Sequence, residues 1–304
     1  MSKKYILFDI SNLLYRCFFA NKSNDDITAA GLAHHMALNT LNKYYKQFKP
    51  HKVVMAFDRS SWRKLYTADE ELCLSGKPYK GNRRQKMTPK EKEKFELFLE
   101  HLNEFEEIMR VHTSVVCLAG GGLEADDLVA GFCQAHQDDE VIIVSADKDM
   151  IQLLRHPGVR LVDPATGKDR TLDEWDGDAD LFMFEKCLRG DAGDNVGSAL
   201  PRVRSTKIRK AYVDSFERVN MMNSTWTDQN GKEYVVRHLF AENKLLMDLE
   251  AQPECVRRQM FDVINEEMKN PGDFSYFKFL GFLGKYELKK ISERLENFVP
   301  MLSR

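Results

Sequence analysis

Lys4-Tyr5-Ile6-Leu7-Phe8-Asp9 is a short apolar run closed by a carboxylate, and the same pattern returns along the chain. Val53-Val54-Met55-Ala56-Phe57 runs into Asp58, and Val141-Ile142-Ile143-Val144-Ser145 runs into Asp147 and Asp149. Glu124-Ala125-Asp126-Asp127 follows a further strand-like stretch, Val115-Val116-Cys117-Leu118. Short apolar runs of this kind, alternating with amphipathic segments, read as buried strands of a parallel sheet. In an open parallel sheet ligands bind outside the carboxyl ends of the strands, so all these acids are expected on one rim. Carboxylates crowded into a small volume repel one another unless cations neutralise them. Hard cations with oxygen ligands, Mg²⁺ above all, suit that need. The pattern predicts a metal-dependent phosphoryl-transfer site.

Between the strands the chain reads as helix. Ile27, Leu32, Met36, Leu41 and Tyr45 have roughly helical spacing, which predicts a helix over about 28–48. A strong helix is expected over 89–110, with Thr88 as N-cap, Pro89 in the first helical position and Glu91 completing a capping box. Helix 124–136, strand 140–145, helix 149–154 and a strand near 159–162 continue the rhythm. Its fold class is α/β, a parallel sheet with helices on both faces. From about residue 178 the pattern turns helical, with candidates at 179–189, 205–219, 237–249, 253–268, 273–282 and 285–298. The expected division is an α/β domain over 1–180 and a smaller, all-helical region over 181–304. Residues 59–88 form a connection far longer than usual, and such loops tend to be functional or disordered.

Composition excludes several classes. The 304 residues are 43% hydrophobic and 30% charged with a net charge of -2, as in a globular protein. Six cysteines are scattered with no C-x-x-C pair, which argues against a disulfide framework or a zinc site and for reduced thiols in the cytoplasm. The apolar run after Lys3 and Lys4 is cut by Asp9, too short for a signal peptide, and no stretch has membrane-helix length. G-x-S-x-G, H-E-x-x-H and the Walker motif are all missing.

The candidate metal ligands are Asp9, Asp58, Glu124, Asp126, Asp127, Asp147, Asp149, Asp191 and Asp194, the last two in the turn Arg189-Gly190-Asp191-Ala192-Gly193-Asp194-Asn195. Two cations about 3.5–4 Å apart would share a bridging carboxylate. Taken singly, Asp9 or Asp58 reads equally as an N-cap for the following helix, and Glu124 and Asp127 as favouring a helix N-terminus. The specificity lies in the set. Residues 59–94 hold 11 basic against 5 acidic side chains, with Trp62, Tyr66 and Tyr79 interleaved. Such a stretch suits phosphates and unpaired bases. Arg202, Arg204, Lys207, Arg209 and Lys210 form a second basic run, readable as a duplex backbone contact or as an ordinary charged helix face.

In order along the chain, Asp9, Phe57-Asp58, Tyr79-Lys80-Gly81-Asn82-Arg83, Glu124-Ala125-Asp126-Asp127, Ser145-Ala146-Asp147-Lys148-Asp149 and Gly190-Asp191-Ala192-Gly193-Asp194-Asn195-Val196 resemble the 5′-nuclease (flap endonuclease) family. The resemblance implies a PIN-like sheet with a basic helical arch at about 59–94. It implies two Mg²⁺ ions, with Mn²⁺ able to substitute. Asp9, Asp58, Glu124 and Asp126 resemble one metal group. Asp126, Asp147, Asp149 and Asp194 resemble the other, with Asp127 and Asp191 as outer support. Lys80 and Arg83 match arch bases that approach the scissile phosphate, so Lys80, Arg83, Asp126 and Asp147 are the expected catalytic residues. Arg59, Trp62, Arg63, Lys64, Tyr79, Lys80, Arg83, Arg84 and Lys86 are the expected nucleic-acid contacts of the arch, joined by Arg202, Arg204, Lys207, Arg209 and Lys210. The family continues past its last Asp with Ile-Pro-Gly and a G-x-G-x-K hairpin that binds potassium. Here the chain reads Val196-Gly197-Ser198-Ala199-Leu200-Pro201-Arg202-Val203-Arg204, without the glycine hairpin, and the basic run at 202–210 stands in its place.

This departure, Trp62-Arg63-Lys64, Glu242-Asn243-Lys244-Leu245-Leu246-Met247-Asp248 and Tyr276-Phe277-Lys278 are similar to the T-even phage ribonuclease H branch. That likeness implies a monomeric 5′→3′ exonuclease and flap endonuclease with ribonuclease H activity on RNA–DNA hybrids. It would remove RNA primers in phage-type replication, in the host cytoplasm, beside a single-stranded DNA-binding protein and a sliding clamp. Two other readings use the same acids: a PIN-type ribonuclease of single-stranded RNA, and a structure-specific DNA-binding module without catalysis. The long basic insertion favours the first reading over the ribonuclease, and the full set of motif acids favours it over the module.

Overall fold

The computed structural model describes residues 2–20, 25–85 and 87–304, the side chains of residues 84 and 85 excepted. Strand β1 (Lys4–Asp9) leads through α1 (Ile10–Ala20) and α2 (Asp26–Phe48) to β2 (Lys52–Ala56). Two short helices, α3 (Trp62–Ala68) and α4 (Gly81–Gln85), lie in the long connection to α5 (Pro89–His112). There follow β3 (Val116–Leu118), α6 (Ala125–Ala135), β4 (Glu140–Val144), β5 (Val159–Val162) and β6 (Asp169–Arg170). The sheet order is β3-β2-β1-β4-β5-β6, parallel except for the last strand. The α/β expectation holds. The strands are continuous apolar runs because both faces are covered. Ile6 and Phe8 enter one core cluster with α2 and α5, whereas Tyr5 and Leu7 enter another with α6, the two-residue period of a strand.

Strand β1 lies between β2 and β4, so the order reverses there, and the end of β1 carrying Asp9 is the switch point where such sheets bind ligands. Helix α5 starts as its sequence predicts: Thr88 accepts from Glu91 N–H, Glu91 caps in return, and Pro89 stands in the first turn. The 149–154 helix is a 3-10 helix, Asp149–Arg155.

Past residue 178 come α7 (Ala179–Arg189), α8 (Ser205–Val213), α9 (Ser215–Asn223), a hairpin of β7 (Thr225–Thr227) and β8 (Glu233–Val235), α10 (Val236–Met247), α11 (Glu254–Lys269), α12 (Tyr276–Lys285), α13 (Lys289–Ser292) and α14 (Val299–Leu302). The expected helix 205–219 is broken at Asp214, whose carboxylate accepts from the Phe216 and Glu217 amides and starts α9 afresh. The expected helix 285–298 is broken instead into the short α13 and a 3-10 turn over Leu295–Asn297. These elements join all three core clusters. Phe184, Leu188, Ile208, Ala211, Met221 and Val236 form a small cluster of their own. Val256, Met260 and Ile264 of α11 belong to the α6 side. Phe279, Phe282 and the residues of α13 and α14 close the α2–α5 side. Among the described residues no helix is long and apolar enough to cross a membrane.

Candidate active site

Three carboxylates meet at the switch point. Asp9 ends β1, Asp126 lies in the first turn of α6 and Asp147 follows β4; one oxygen of each lies within 4.8 Å of the others. Backbone hydrogen bonds fix this arrangement. Asp9 Oδ1 accepts from Asn12 N–H at 3.1 Å, so Asp9 also caps α1. Asp58 Oδ1 accepts from Ala125 N–H at 2.9 Å while its own amide donates to Ser11 Oγ at 2.9 Å, tying the end of β2 to the starts of α1 and α6. The Asp147 amide donates to Ser145 Oγ at 3.0 Å, and Arg170 holds the Ala146 and Asp147 carbonyls at 3.2 and 3.0 Å.

Burial, and then the charge of Asp58, pushes the Asp9 carboxyl well above the usual carboxylate range. Burial, with Asp9 and Asp147 alongside, does the same to Asp126. Acids whose charged forms are disfavoured to this extent call for an added positive charge. An all-oxygen donor set of this kind fits a hard divalent cation.

The surrounding acids already have cations of the chain. Lys80 Nζ donates to Glu124 Oε1 at 2.6 Å, and Ser61 Oγ and Arg63 donate to Oε2 at 2.8 and 3.1 Å. Burial raises the Glu124 carboxyl, but Lys80 and Arg63 outweigh it and hold it at about 2. Burial opposes the charge of Lys80, and Glu124, Asp194 and Asp126 more than offset this, so its ammonium is held above the ordinary lysine value. Asp194 accepts from Tyr79 OH at 2.8 Å and pairs with Arg83. Asp149 pairs with Lys186, whose ammonium also lies 3.7 Å from Asp191. Asp191 Oδ1 accepts from the Gly193 and Asp194 amides and shapes the turn. Sequence reasoning missed Lys186, because one lysine in the last turn of a helix reads as macrodipole complement. Its place directly ahead of the Asp191 turn was the available signal.

Four expectations need correction. Arg63 is 1% exposed and cannot reach a nucleic acid. Its guanidinium donates to both Asp127 oxygens, at 2.9 and 2.8 Å, and to Glu124. Asp127 is fully buried; its oxygens accept from Arg63, Gln252 and the Glu124 amide. It therefore balances Arg63 instead of ligating a metal. Trp62 and Tyr79 are buried in the core on the α6 side, so neither offers a stacking face. These side chains turn inward because the connection is tied down at several points: the Arg59 and Trp62 amides donate to the Leu123 and Gly122 carbonyls, and the Tyr79 amide to Thr67 Oγ1 at 2.9 Å. Arg59 is half-buried and bound to Glu106 through both carboxylate oxygens. Lys64, Arg83, Arg202, Arg204, Lys207 and Lys210 are exposed, and Arg209 is paired with Asp176. The Arg84 side chain and Lys86 lie outside the described residues.

Residues 4–179 match the family model described as the 5′-3′ exonuclease, N-terminal resolvase-like domain. The chain is 28% identical to DNA polymerase I of Caldicellulosiruptor bescii over 216 residues, 64% of this chain and 22% of that one. It is 21% identical to ribonuclease H of Enterobacteria phage T4 over 308 residues, covering 96% of this chain and 95% of that one. It thus spans about a fifth of the polymerase and nearly all of the ribonuclease H. The T5 D15 protein co-crystallized with metal ions superimposes with a TM-score of 0.64 at 20% identity, over 87% of this chain and 100% of that one. The T5 5′-exonuclease with bound zinc gives a TM-score of 0.63 at 22% identity, over 87% of this chain and 100% of that one. At these identities the structural likeness is one of fold.

Proposed function

The chain belongs to the 5′-3′ exonuclease family, its residues 4–179 matching the N-terminal resolvase-like domain, and from that premise we propose that it is a Mg²⁺-dependent 5′→3′ exonuclease and flap endonuclease that also cuts the RNA strand of RNA–DNA hybrids. The observation that carries this reading is the meeting of Asp9, Asp126 and Asp147 within 4.8 Å at the sheet's switch point, beside a lysine that stays charged. Removal of RNA primers during replication is part of the same proposal, supported by the likeness to the phage T4 ribonuclease H along 96% of this chain. Action beside a single-stranded DNA-binding protein and a clamp belongs to the same proposal.

Asp9, Asp126 and Asp147 would hold one cation, with Asp58 at its edge. Asp149, Asp191 and Asp194 would serve a second once Lys186 and Arg83 yield. The chemistry a divalent cation supplies there is neutralisation of phosphoryl oxygens and acidification of water. Lys80 and Arg83 have the reach and charge to take a phosphate between them, exchanging Glu124 and Asp194 for its oxygens. The raised Lys80 keeps its proton at neutral pH, so it stabilises developing charge and does not shuttle protons. The exposed bases Arg202, Arg204, Lys207 and Lys210 would follow a duplex backbone, making the 181–304 region the DNA-binding part of the molecule and 1–180 the catalytic part.

The test is a 5′-labelled flap duplex and a matching RNA–DNA hybrid, each incubated with Mg²⁺ and with EDTA. Short 5′ products that require Mg²⁺ support the reading. Tight binding without cleavage sinks it, as does cleavage restricted to free single-stranded RNA.

A further inference from the structure

The segment Glu242-Asn243-Lys244-Leu245-Leu246-Met247-Asp248 supplies none of the site's charged groups, yet four of its residues each hold a different stretch of the chain around it. All the partners are backbone groups or buried side chains. Glu242 is 3% exposed, and its carboxylate accepts from the Leu74 amide and, at 3.1 Å, from the Ser75 amide. Asn243 is 1% exposed, and its amide donates to the Cys187 and Gly197 carbonyls, both at 2.8 Å. The Leu246 carbonyl accepts from Arg63 Nε at 2.7 Å. The Met247 carbonyl accepts from Gln152, which also donates to the Asp149 carbonyl at 2.9 Å.

The first two grips close a circuit. Gly197 follows Val196, which exchanges both backbone hydrogen bonds with Asp191 at 3.0 and 2.8 Å. The turn between them holds the Lys80 segment. Lys80 N–H donates to the Asp194 carbonyl at 2.8 Å, and Asn195 Nδ2 donates to the Pro78 carbonyl at 2.9 Å. Lys80 and Asn195 both have left-handed backbones, φ 54° and 61°. Such a conformation in non-glycine residues persists only where the surroundings over-determine it. From the other side, residues 74 and 75 are fixed by Glu242, and the exposed Lys232 of the hairpin loop holds the Leu74 carbonyl at 3.0 Å. Helix α10 therefore anchors both ends of the path that places Lys80 and Arg83 against the Asp191–Asp194 turn.

Stability alone does not ask for this. A buried carboxylate and a buried amide are costly to desolvate, and apolar side chains of like volume often serve a core as well. Fully satisfied buried polar groups do fix a unique geometry. We propose that Glu242 and Asn243 are positioning residues, which set the register between Lys80 and Arg83 and the Asp191–Asp194 turn. This rests on the nuclease reading. Because α10 begins in the cluster of α7, α8 and α9, it also ties the surface offered to a duplex to the placement of Lys80.

The experiment compares wild type with Glu242→Ala, Glu242→Gln and Asn243→Ala. It measures kcat and KM on a 5′-labelled flap duplex with Mg²⁺, thermal melting, and the rate of limited proteolysis in the 70–77 loop. Misplacement by an ångström costs up to about 10²-fold in rate, so Glu242→Ala and Asn243→Ala are expected to lose that order in kcat with KM changed by less than about threefold. Glu242→Gln, which keeps an acceptor oxygen for the loop, should recover most of kcat, and the loop should be cut faster in Glu242→Ala. An unchanged kcat overturns the proposal, as does a kcat loss that tracks melting and is not recovered by Gln. If Glu242→Ala does not fold, Lys232→Met releases Leu74 from the outside; a kcat equal to wild type there overturns the proposal equally. Wild-type protein that cuts no substrate overturns the nuclease reading and this inference with it.

Discussion

Asp147 bears most directly on the reading at the scale of single residues. It joins Asp9 and Asp126 in the carboxylate trio and helps to raise both. Asp147→Asn is expected to abolish Mg²⁺-dependent cleavage while leaving flap-duplex binding measurable; a variant that cuts normally would show the metal assignment to be wrong. The same substitution carries a stability sign. Asp9 and Asp126 have folded values raised above the ordinary 3.8. Their contribution to stability is fully present below that value and is lost as pH rises through the raised folded values. Metal-free Asp147→Asn should therefore melt higher than metal-free wild type at neutral pH, and calorimetry with EDTA reads this directly. Lys80→Ala should lower kcat far more than it raises KM, by roughly 10²-fold as for loss of one preorganised donor. A change confined to KM would make Lys80 a phosphate anchor. At this scale the acids were legible in the sequence because most follow a strand or open a helix, and Asp191 and Asp194 share a glycine-bearing turn. The roles of Arg63 and Tyr79 were not, because a basic or aromatic residue in a charged loop has the same local signature whether it faces solvent or Asp127.

Helices α2, α5 and α12 meet around His34, which is 2% exposed, stacks on Phe105 with ring centres 5.1 Å apart and meets Tyr286 edge-on at 4.4 Å. Burial, then the neighbouring His101, lowers its imidazole from 6.5 to about 3. The unfolded chain takes up this proton first as pH falls. The stability that depends on His34 is thus complete above about 6.5 and is lost progressively toward 3, at no more than about 1.4 kcal/mol per pH unit. His34→Phe keeps the ring and removes the titration, so urea unfolding should show a shallower loss of stability between pH 6.5 and pH 4. Parallel acid limbs for the two proteins would place the loss elsewhere. Elements with their own local signals, such as α5 with its capping box and the apolar strands, matched their sequence expectations. The α8–α9 break and the β7–β8 hairpin did not. Asp214 competes with helix continuation only once the turn closes, and two three-residue strands carry too little periodicity to read.

Over the whole molecule the net charge is only -2, yet Arg83 pairs with the rim at Asp194 and Lys64, Arg202, Arg204 and Lys207 are exposed. Duplex binding is expected to weaken steeply with salt, and replacing Arg204 and Lys207 together by Ala should lower the slope of log K against log salt by about one per phosphate contact removed. A slope unchanged by that double variant, measured by fluorescence anisotropy with Ca²⁺ in place of Mg²⁺, would remove this face from the duplex path. A parallel sheet puts every strand terminus on the same side and its strands announce themselves by apolar runs, so the α/β class, the carboxylate-bearing strand ends and their convergence on one rim are readable from the residues alone. Which acids keep their charge uncompensated, which are matched by Lys80, Arg63, Arg83 and Lys186, and how α10 braces the segments holding them emerge in the folded chain alone. Those pairings join residues up to 183 positions apart, as in Arg63 to Leu246. Electrostatic partnership depends on distance and burial in the folded chain, and neither leaves a periodic trace in the sequence.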